Sequence, residues 1–248
     1  MEEIKNIYDN EEFFNGYSEI RKSENSHNEL IEQPAMRELL PNPDGMCILD
    51  LGCGYGQNCF EFVKNGAKRV VGVDLSGKML DVARKESSHP SIEYYQMDMA
   101  DIDRIEGQFD LVYSSLAFHY VEDFNGLIKK IYHLLKKDGI LLFSQEHPLT
   151  TATVDGAGHF NKDEDGKYLS YTLSNYNESG KRVVCWMVEG LVKYHRTFSD
   201  IINALAKEGF EIMSLQEPKP GKKALEKVPK LYKELIKPSF LIVKATKK

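Results

Sequence analysis

Short, continuous apolar runs recur through the middle of the chain, and between them apolar positions return every three or four residues. The runs at 47–51, 69–75, 92–96, 109–114 and 140–144 have the near-continuous apolar character of parallel strands buried on both faces. The clearest helical segment is 125–137. Its Leu127, Ile128, Ile131, Leu134 and Leu135 share one helical face, and Gly139 is placed to stop it. Strands alternating with helices predict a doubly wound α/β sheet with right-handed crossovers.

The rhythm changes after Pro148. Residues 149–181 are rich in Gly, Asp, Asn and Ser, with turn signals at Asp155-Gly156, Asp165-Gly166 and Ser179-Gly180. The pattern predicts that 168–176 and 181–188 pair as a hairpin across the last of these. Thr197 and Asp200 have capping-box spacing ahead of a helix at 201–208, which Gly209 would end. The segments 210–215 and 240–245 read as the final strands, and the basic stretch 219–237 between them as a solvated loop and helix. Residues 1–45, polar and aromatic, read as an N-terminal helical lid. The main domain then spans 46–248, with an insertion at about 149–195.

The first strand runs into Asp50-Leu51-Gly52-Cys53-Gly54-Tyr55-Gly56, followed by a helix-like segment, 57–65. A strand entering a glycine-rich turn and then a helix forms a ligand-binding loop at the carboxyl edge of a sheet. The acid at the strand tip would repel a pyrophosphate but attract an ammonium or ribose hydroxyls. That points to a nucleoside cofactor carrying positive charge. Gly52 and Gly54 match the first two positions of the dinucleotide fingerprint G-x-G-x-x-G, but the third falls on Gln57. Asp74 ends the second strand 22 residues after Gly52, near the ribose-binding offset of nucleotide sheets, about 20 residues. The alternative is that Asp74 and Ser76 only cap the next helix. Asp98 follows the third strand, where it could accept from an adenine amine while Met99 packs on the ring; the alternative is a loop aspartate.

Taken in order, Asp50 to Gly56, Gly72-Val73-Asp74-Leu75-Ser76, Met97-Asp98-Met99 and the run from Phe109 to Tyr120 resemble class I S-adenosylmethionine-dependent methyltransferases, over roughly residues 46–147. The resemblance implies a Rossmann-like seven-stranded sheet in the order 3-2-1-4-5-7-6, its last strand antiparallel. It implies S-adenosyl-L-methionine as cofactor. Gly52 and Gly54 would let the backbone approach the methionyl part, and Asp50 would support its ammonium. Asp74 would hold the ribose, with Leu75 in the same cofactor set. Asp98 and Met99 would frame the adenine, and Ser114 and Ser115 would line the sulfonium end. Met79 would pack beside the adenosine, or serve as a plain core residue. The tail, through Tyr194-His195-Arg196-Thr197, is similar to a bacterial subset acting on small molecules. Ser114-Ser115-Leu116-Ala117 stands where nitrogen-directed relatives carry an Asn-Pro-Pro-Tyr type motif.

Methyl transfer from a sulfonium needs alignment and exclusion of water, and a general base when the acceptor is protonated. His119 and His147, beyond the fourth and fifth strands, are the candidate catalytic bases, with Glu146 as an orienting or substitute acceptor. His195 is a third candidate. All three would otherwise be structural histidines. In the lid, Tyr8, Phe13, Phe14 and Tyr17 would face the sulfonium, and Arg21 would pair with the donor's carboxylate; or these residues form one face of a packed helix. Tyr171, Tyr176 and Trp186 would wall the acceptor pocket, or pack a hairpin.

The formal net charge of −6 argues against a sequence-independent nucleic-acid binder. No apolar run approaches the ~20 residues that span a bilayer, and the start Met1-Glu2-Glu3-Ile4-Lys5 does not resemble a signal peptide. Four cysteines without CxxC spacing predict packing residues in a reducing, cytoplasmic setting and no metal site. The expectation is a methyltransferase acting on an O or N atom of a small-molecule acceptor, as monomer or homodimer. Alternatives are a tRNA or rRNA methyltransferase, suggested by the basic segment 219–237, an inactive nucleoside-binding relative, and an NAD-dependent oxidoreductase, which Gln57 and Asp50 oppose.

Overall fold

The structure, a computed structural model, describes residues 25–154, 158–186 and 188–248, excluding the side chains at 186, 188 and 189. The lid candidates Tyr8, Phe13, Phe14, Tyr17 and Arg21 lie outside these residues, as does the turn at Asp155-Gly156. The described chain begins with a π-helical turn, Asn28–Glu32, continuing into α1 (Gln33–Leu39).

Five parallel strands form the centre: β1 (Cys47–Leu51), β2 (Arg69–Asp74), β3 (Ile92–Gln96), β4 (Phe109–Ser115) and β5 (Leu135–Glu146). Between them run α2 (Gln57–Lys64), α3 (Gly77–Glu86) and α4 (Phe124–Leu134), with a 3₁₀ turn at Met99–Arg104. A short α5 (Pro148–Thr151) follows. Then come two small hairpins, β6 (His159–Lys162) with β7 (Tyr168–Thr172) and β8 (Gly180–Trp186) with β9 (Val188–His195). The chain closes with α6 (Phe198–Glu208), β10 (Phe210–Gln216), α7 (Lys222–Lys227), a 3₁₀ segment Pro229–Leu235 and β11 (Phe240–Lys247).

The main sheet has the order β10-β11-β5-β4-β1-β2-β3. β11 is antiparallel to both β5 and β10. Counting only the sheet's own strands, this is the expected order 3-2-1-4-5-7-6. Side-chain alternation feeds two apolar layers. Leu49, Leu51, Val112 and Phe143 pack under α4 and α6, while Ile48, Leu111, Tyr113 and Leu142 pack under α1, α2 and α3. Coverage on both faces is why the central strands read as unbroken apolar runs. Strand order reverses across β1, which lies between β2 and β4, so the crevice at the carboxyl ends of these strands is the natural ligand position.

Two expectations are corrected. The fourth helix stops at Leu134 rather than near Lys137, because Leu135 pairs with Phe109 and starts β5. Asp138, with φ of 61°, then forms a bulge ahead of Ile140. Segments 168–176 and 181–188 do not pair with each other: β7 pairs back onto β6 across Asp165-Gly166, and β8 pairs forward onto β9.

The capping box at α6 is present. Asp200 N–H donates to Thr197 Oγ1 (3.1 Å), Thr197 N–H donates to Asp200 Oδ2 (2.9 Å), and Gly209 ends the helix with φ of 95°. Thr197→Ala is expected to lower stability by about 1 kcal/mol. Urea unfolding reads this directly, and an unchanged midpoint would contradict it.

Candidate cofactor and acceptor site

The glycine loop is held to the tip of β2. Gly52 N–H and Cys53 N–H donate to the Val73 carbonyl (2.8 and 3.0 Å). Gly54 N–H donates to Asp74 Oδ2 and Ser76 N–H to Asp74 Oδ1, both at 2.8 Å. Two backbone donors thus fix the Asp74 carboxylate beside Gly54. Ser76 Oγ also accepts from Met79 N–H (3.2 Å) and caps α3. The capping and ligand-holding readings are therefore compatible at this strand tip.

Gly52 has φ of +75°, and a Cβ there would stand 2.5 Å from Ala117 Cβ and 3.1 Å from Met99 Cε. Gly54 has φ of +54°, but a Cβ there would meet nothing within 4 Å. The loop is thus packed tightly below Gly52 and open beside Gly54, so it forms a cradle at the position where a ligand's backbone contacts would fall. Gly52→Ala is expected to lower stability by about 2 kcal/mol or more, from the left-handed backbone and the clash with Ala117. A thermal melt matching the parent would contradict that.

Asp50 lies beneath the loop. It is 1 % exposed, and Cys59 Sγ donates to its Oδ2 at 3.2 Å. Burial pushes its pKa up to about 7, with the Asp74 charge adding to the effect. The tips of β1, β2 and β3 are adjacent: Asp50 is in register with Gly72, and Asp74 with Gln96. Met97 N–H donates to the Asp74 carbonyl (3.0 Å). Asp98 Oδ1 accepts from Ala100 N–H (2.8 Å) and caps the 3₁₀ turn. Leu75 is exposed and Met99 half-buried, whereas Met79 and Ser114 are interior. Ser114 Oγ donates to the Leu51 carbonyl (2.7 Å).

Beyond β4 lies a cluster that the sequence did not reveal. Ser115 Oγ donates to Glu32 Oε1 (2.8 Å), Ser144 Oγ donates to the same oxygen, and Gln33 Nε2 donates to both Glu32 Oε2 (2.9 Å) and Ser115 Oγ (3.3 Å). Glu32 is fully buried. Leu116, with φ of 55°, donates its N–H to Ser144 Oγ (3.0 Å). The segment ahead of α1 is thereby tied to the carboxyl ends of β4 and β5.

The three candidate histidines are all buried, and each has its lone pair engaged. His119 Nδ1 accepts from Glu146 N–H (3.3 Å), so Nε2 carries the proton. Burial lowers the pKa of His119 to about 4. His147 Nδ1 accepts from Leu149 N–H (3.1 Å), and its Nε2 donates to Glu217 Oε1 (2.8 Å). His195 Nε2 donates to the Tyr176 carbonyl (2.8 Å), and its Nδ1 accepts from Thr151 Oγ1 (2.8 Å). Burial lowers the pKa of both. These hydrogen bonds follow from the heavy-atom geometry and leave the imidazoles neutral and donating. Glu146 faces Lys193, not His147, with Lys193 Nζ at 2.5 Å. Burial pulls the Glu146 carboxyl upward, but the Lys193 ammonium beside it holds it below the usual range.

Tyr171 packs on Phe160 with ring centroids 4.9 Å apart. Tyr176 packs on His195, and its hydroxyl accepts from Phe198 N–H (3.1 Å), an internal packing role. No helix among the described residues is long and apolar enough to cross a membrane.

A family model described as a methyltransferase domain matches residues 49–143. A solved putative S-adenosylmethionine-dependent methyltransferase from Listeria monocytogenes is 36% identical, with a TM-score of 0.80, covering 88% of this chain and 96% of its own. An S-adenosylmethionine-dependent methyltransferase from Mesorhizobium loti is 37% identical, with a TM-score of 0.81, covering 87% of this chain and 97% of its own. An uncharacterized Haemophilus influenzae protein is 38% identical over 218 residues, 86% of this chain and 85% of the relative. The open cradle at Gly54 and the fixed Asp74 carboxylate fit an adenosyl donor. The chain belongs to the S-adenosylmethionine-dependent methyltransferases, and its cofactor is S-adenosyl-L-methionine.

Proposed function

We propose that this enzyme methylates an O or N atom of a small-molecule acceptor. The bound donor supplies a methyl group already activated on its sulfonium. Asp74 receives the ribose hydroxyls, with Leu75 beside it. Asp98 and Met99 border the adenine. Gly52 and Gly54 admit the methionyl portion, and Asp50, Met79 and Ser114 support the loop from beneath. Ser115, held by Glu32 and Gln33, lines the approach to the reacting methyl. Tyr17 and Arg21 would close over the donor from the N-terminal side.

The observation that carries the small-molecule reading is the burial of polar side chains around the carboxyl end of β5. His119, His147, Lys193 and Lys237 are each 7 % exposed or less. Such an arrangement suits an enclosed pocket rather than an open basic groove. The net charge of −6 supports the same choice. The free thiols support work in the cytoplasm, as monomer or homodimer.

The neutral imidazole of His119, which carries its proton on Nε2, has an orienting role toward the acceptor. Both ring nitrogens of His147 are engaged with Leu149 N–H and Glu217, which leaves His147 to position the start of the segment after β5. The attacking atom is then one that is unprotonated at neutral pH or yields its proton to water. The rate of S-adenosylhomocysteine release across a metabolite panel tests the class, and release with RNA alone would contradict it. With an acceptor in hand, the pH–rate profile is expected to show no His119 inflection between pH 6 and 8, since its pKa lies at about 4. An inflection there that disappears in His119→Gln would restore the base role.

A further inference from the structure

We propose that Lys237 anchors an anionic group, carboxylate or phosphate, of the methyl acceptor. This rests on the methyltransferase reading and adds a charge requirement to it. Lys237 lies just ahead of β11. Because β11 runs antiparallel to β5, its start lies at the carboxyl end of β5. Phe240 is in register with Glu146, and His147 N–H donates to the Ser239 carbonyl (2.8 Å). Lys237 therefore occupies the same sheet edge as the glycine loop.

Its ammonium is buried, the residue being 6 % exposed. Nζ donates to Thr150 Oγ1 (2.8 Å) and stands 5.1 Å from the Tyr171 ring centroid and 5.9 Å from that of Phe160. Among the described residues no carboxylate pairs with it. Of the nearby acids, Glu146 pairs with Lys193, while Glu234 accepts from Ser239 N–H at Oε2 (2.9 Å) and its buried Oε1, 3.6 Å from His27, has no hydrogen-bond partner among the described residues. Glu146 and Glu234 still attract Lys237 at longer range, and Lys233 repels it. An ammonium carries three donors, and one neutral hydroxyl with two ring faces is poor compensation for its burial.

A second observation points the same way. Thr153 is 7 % exposed, and its Oγ1 is buried with no partner among the described residues. A Cβ on Gly158 would fall 3.0 Å from Thr153 Oγ1 and would collide with the Tyr171 hydroxyl. Thr153 and Tyr171 thus converge on one glycine, and the Tyr171 ring lies against Lys237. Ammonium, hydroxyls and the Phe160 ring together suit an anion carried on an apolar or aromatic body. For folding alone, an apolar side chain at 237 would serve as well or better.

The test uses the full chain saturated with S-adenosylhomocysteine and three probes: benzoate, inorganic phosphate, and benzamide as the uncharged match. Calorimetry is expected to show saturable binding of benzoate or phosphate and none of benzamide, and the preferred anion identifies the group. Lys237→Met should weaken that binding about tenfold or more, leave S-adenosylhomocysteine affinity unchanged and not lower the melting temperature. Should Lys237→Met fail to fold, Thr153→Val, with a smaller expected loss, carries the same test. Equal anion binding in the variant, or no saturable anion binding in the parent, overturns the proposal. Failure of the parent to bind S-adenosylhomocysteine would instead strike the donor site.

Discussion

Asp50→Asn is expected to gain stability relative to the parent as pH rises from 4 to 8. The parent carboxyl has its pKa raised from 3.8 to about 7 in the folded protein, chiefly by burial. Below pH 4 both folded and unfolded chains hold the proton, and the group contributes no difference. Between about 4 and 7 the unfolded chain has released its proton and the folded chain has not, so stability falls as pH rises. Above 7 the penalty is constant. At about 1.36 kcal/mol per pKa unit, the variant should gain on the order of 4 kcal/mol between these limits. Comparing the pair across pH cancels the pH-independent cost of the asparagine amide. Urea unfolding at pH 4 and pH 8 measures it. A difference that does not change with pH would mean that Asp50 is solvated or ionised in the folded chain.

Asp74→Ala should weaken S-adenosylhomocysteine binding by about 1–3 kcal/mol, roughly 5- to 150-fold. Two effects combine. The carboxylate that would accept from the ribose is lost, and Gly54 N–H and Ser76 N–H lose the group that fixes the loop to the tip of β2. Asp74→Asn separates them, since its amide oxygen can still accept one backbone donor but the charge is gone. Calorimetry on folded variants reads the effect, and unchanged affinity in the alanine variant would remove Asp74 from the donor site.

The parts of the fold that were legible from sequence are those set by local pattern. β1 has the predicted limits because its apolar run ends at the glycine turn, and β3, an edge strand that carries Glu93 and Gln96, because Pro90 and the turn at Asp98 bracket it. The capping box of α6 was legible because its two partners lie three residues apart. The end of α4 was not, because Leu135 continues the helical apolar period yet is used by the sheet. The hairpins were mispaired because several turn signals compete, and local chemistry does not say which strand each one joins.

In the site, the glycine loop and Asp74 were legible because one strand–turn–helix unit and the next strand tip supply them. Glu32 and Gln33 were not. Glu32 meets Ser115 and Ser144 across separations of 83 and 112 residues, and nothing local distinguishes it from a surface acid. Lys237 was hidden in the same way, inside a lysine-rich segment whose pattern reads as solvated but whose last member is buried.

If Asp74, Asp98 and the glycine bend together hold the adenosyl donor, a crystal structure of the chain with S-adenosylhomocysteine will show both ribose hydroxyls within hydrogen-bond distance of Asp74, the thioether sulfur near Ser115 and the methionyl backbone over Gly54. A ligand bound elsewhere, with Asp74 turned away from it, would overturn this assignment of the donor site.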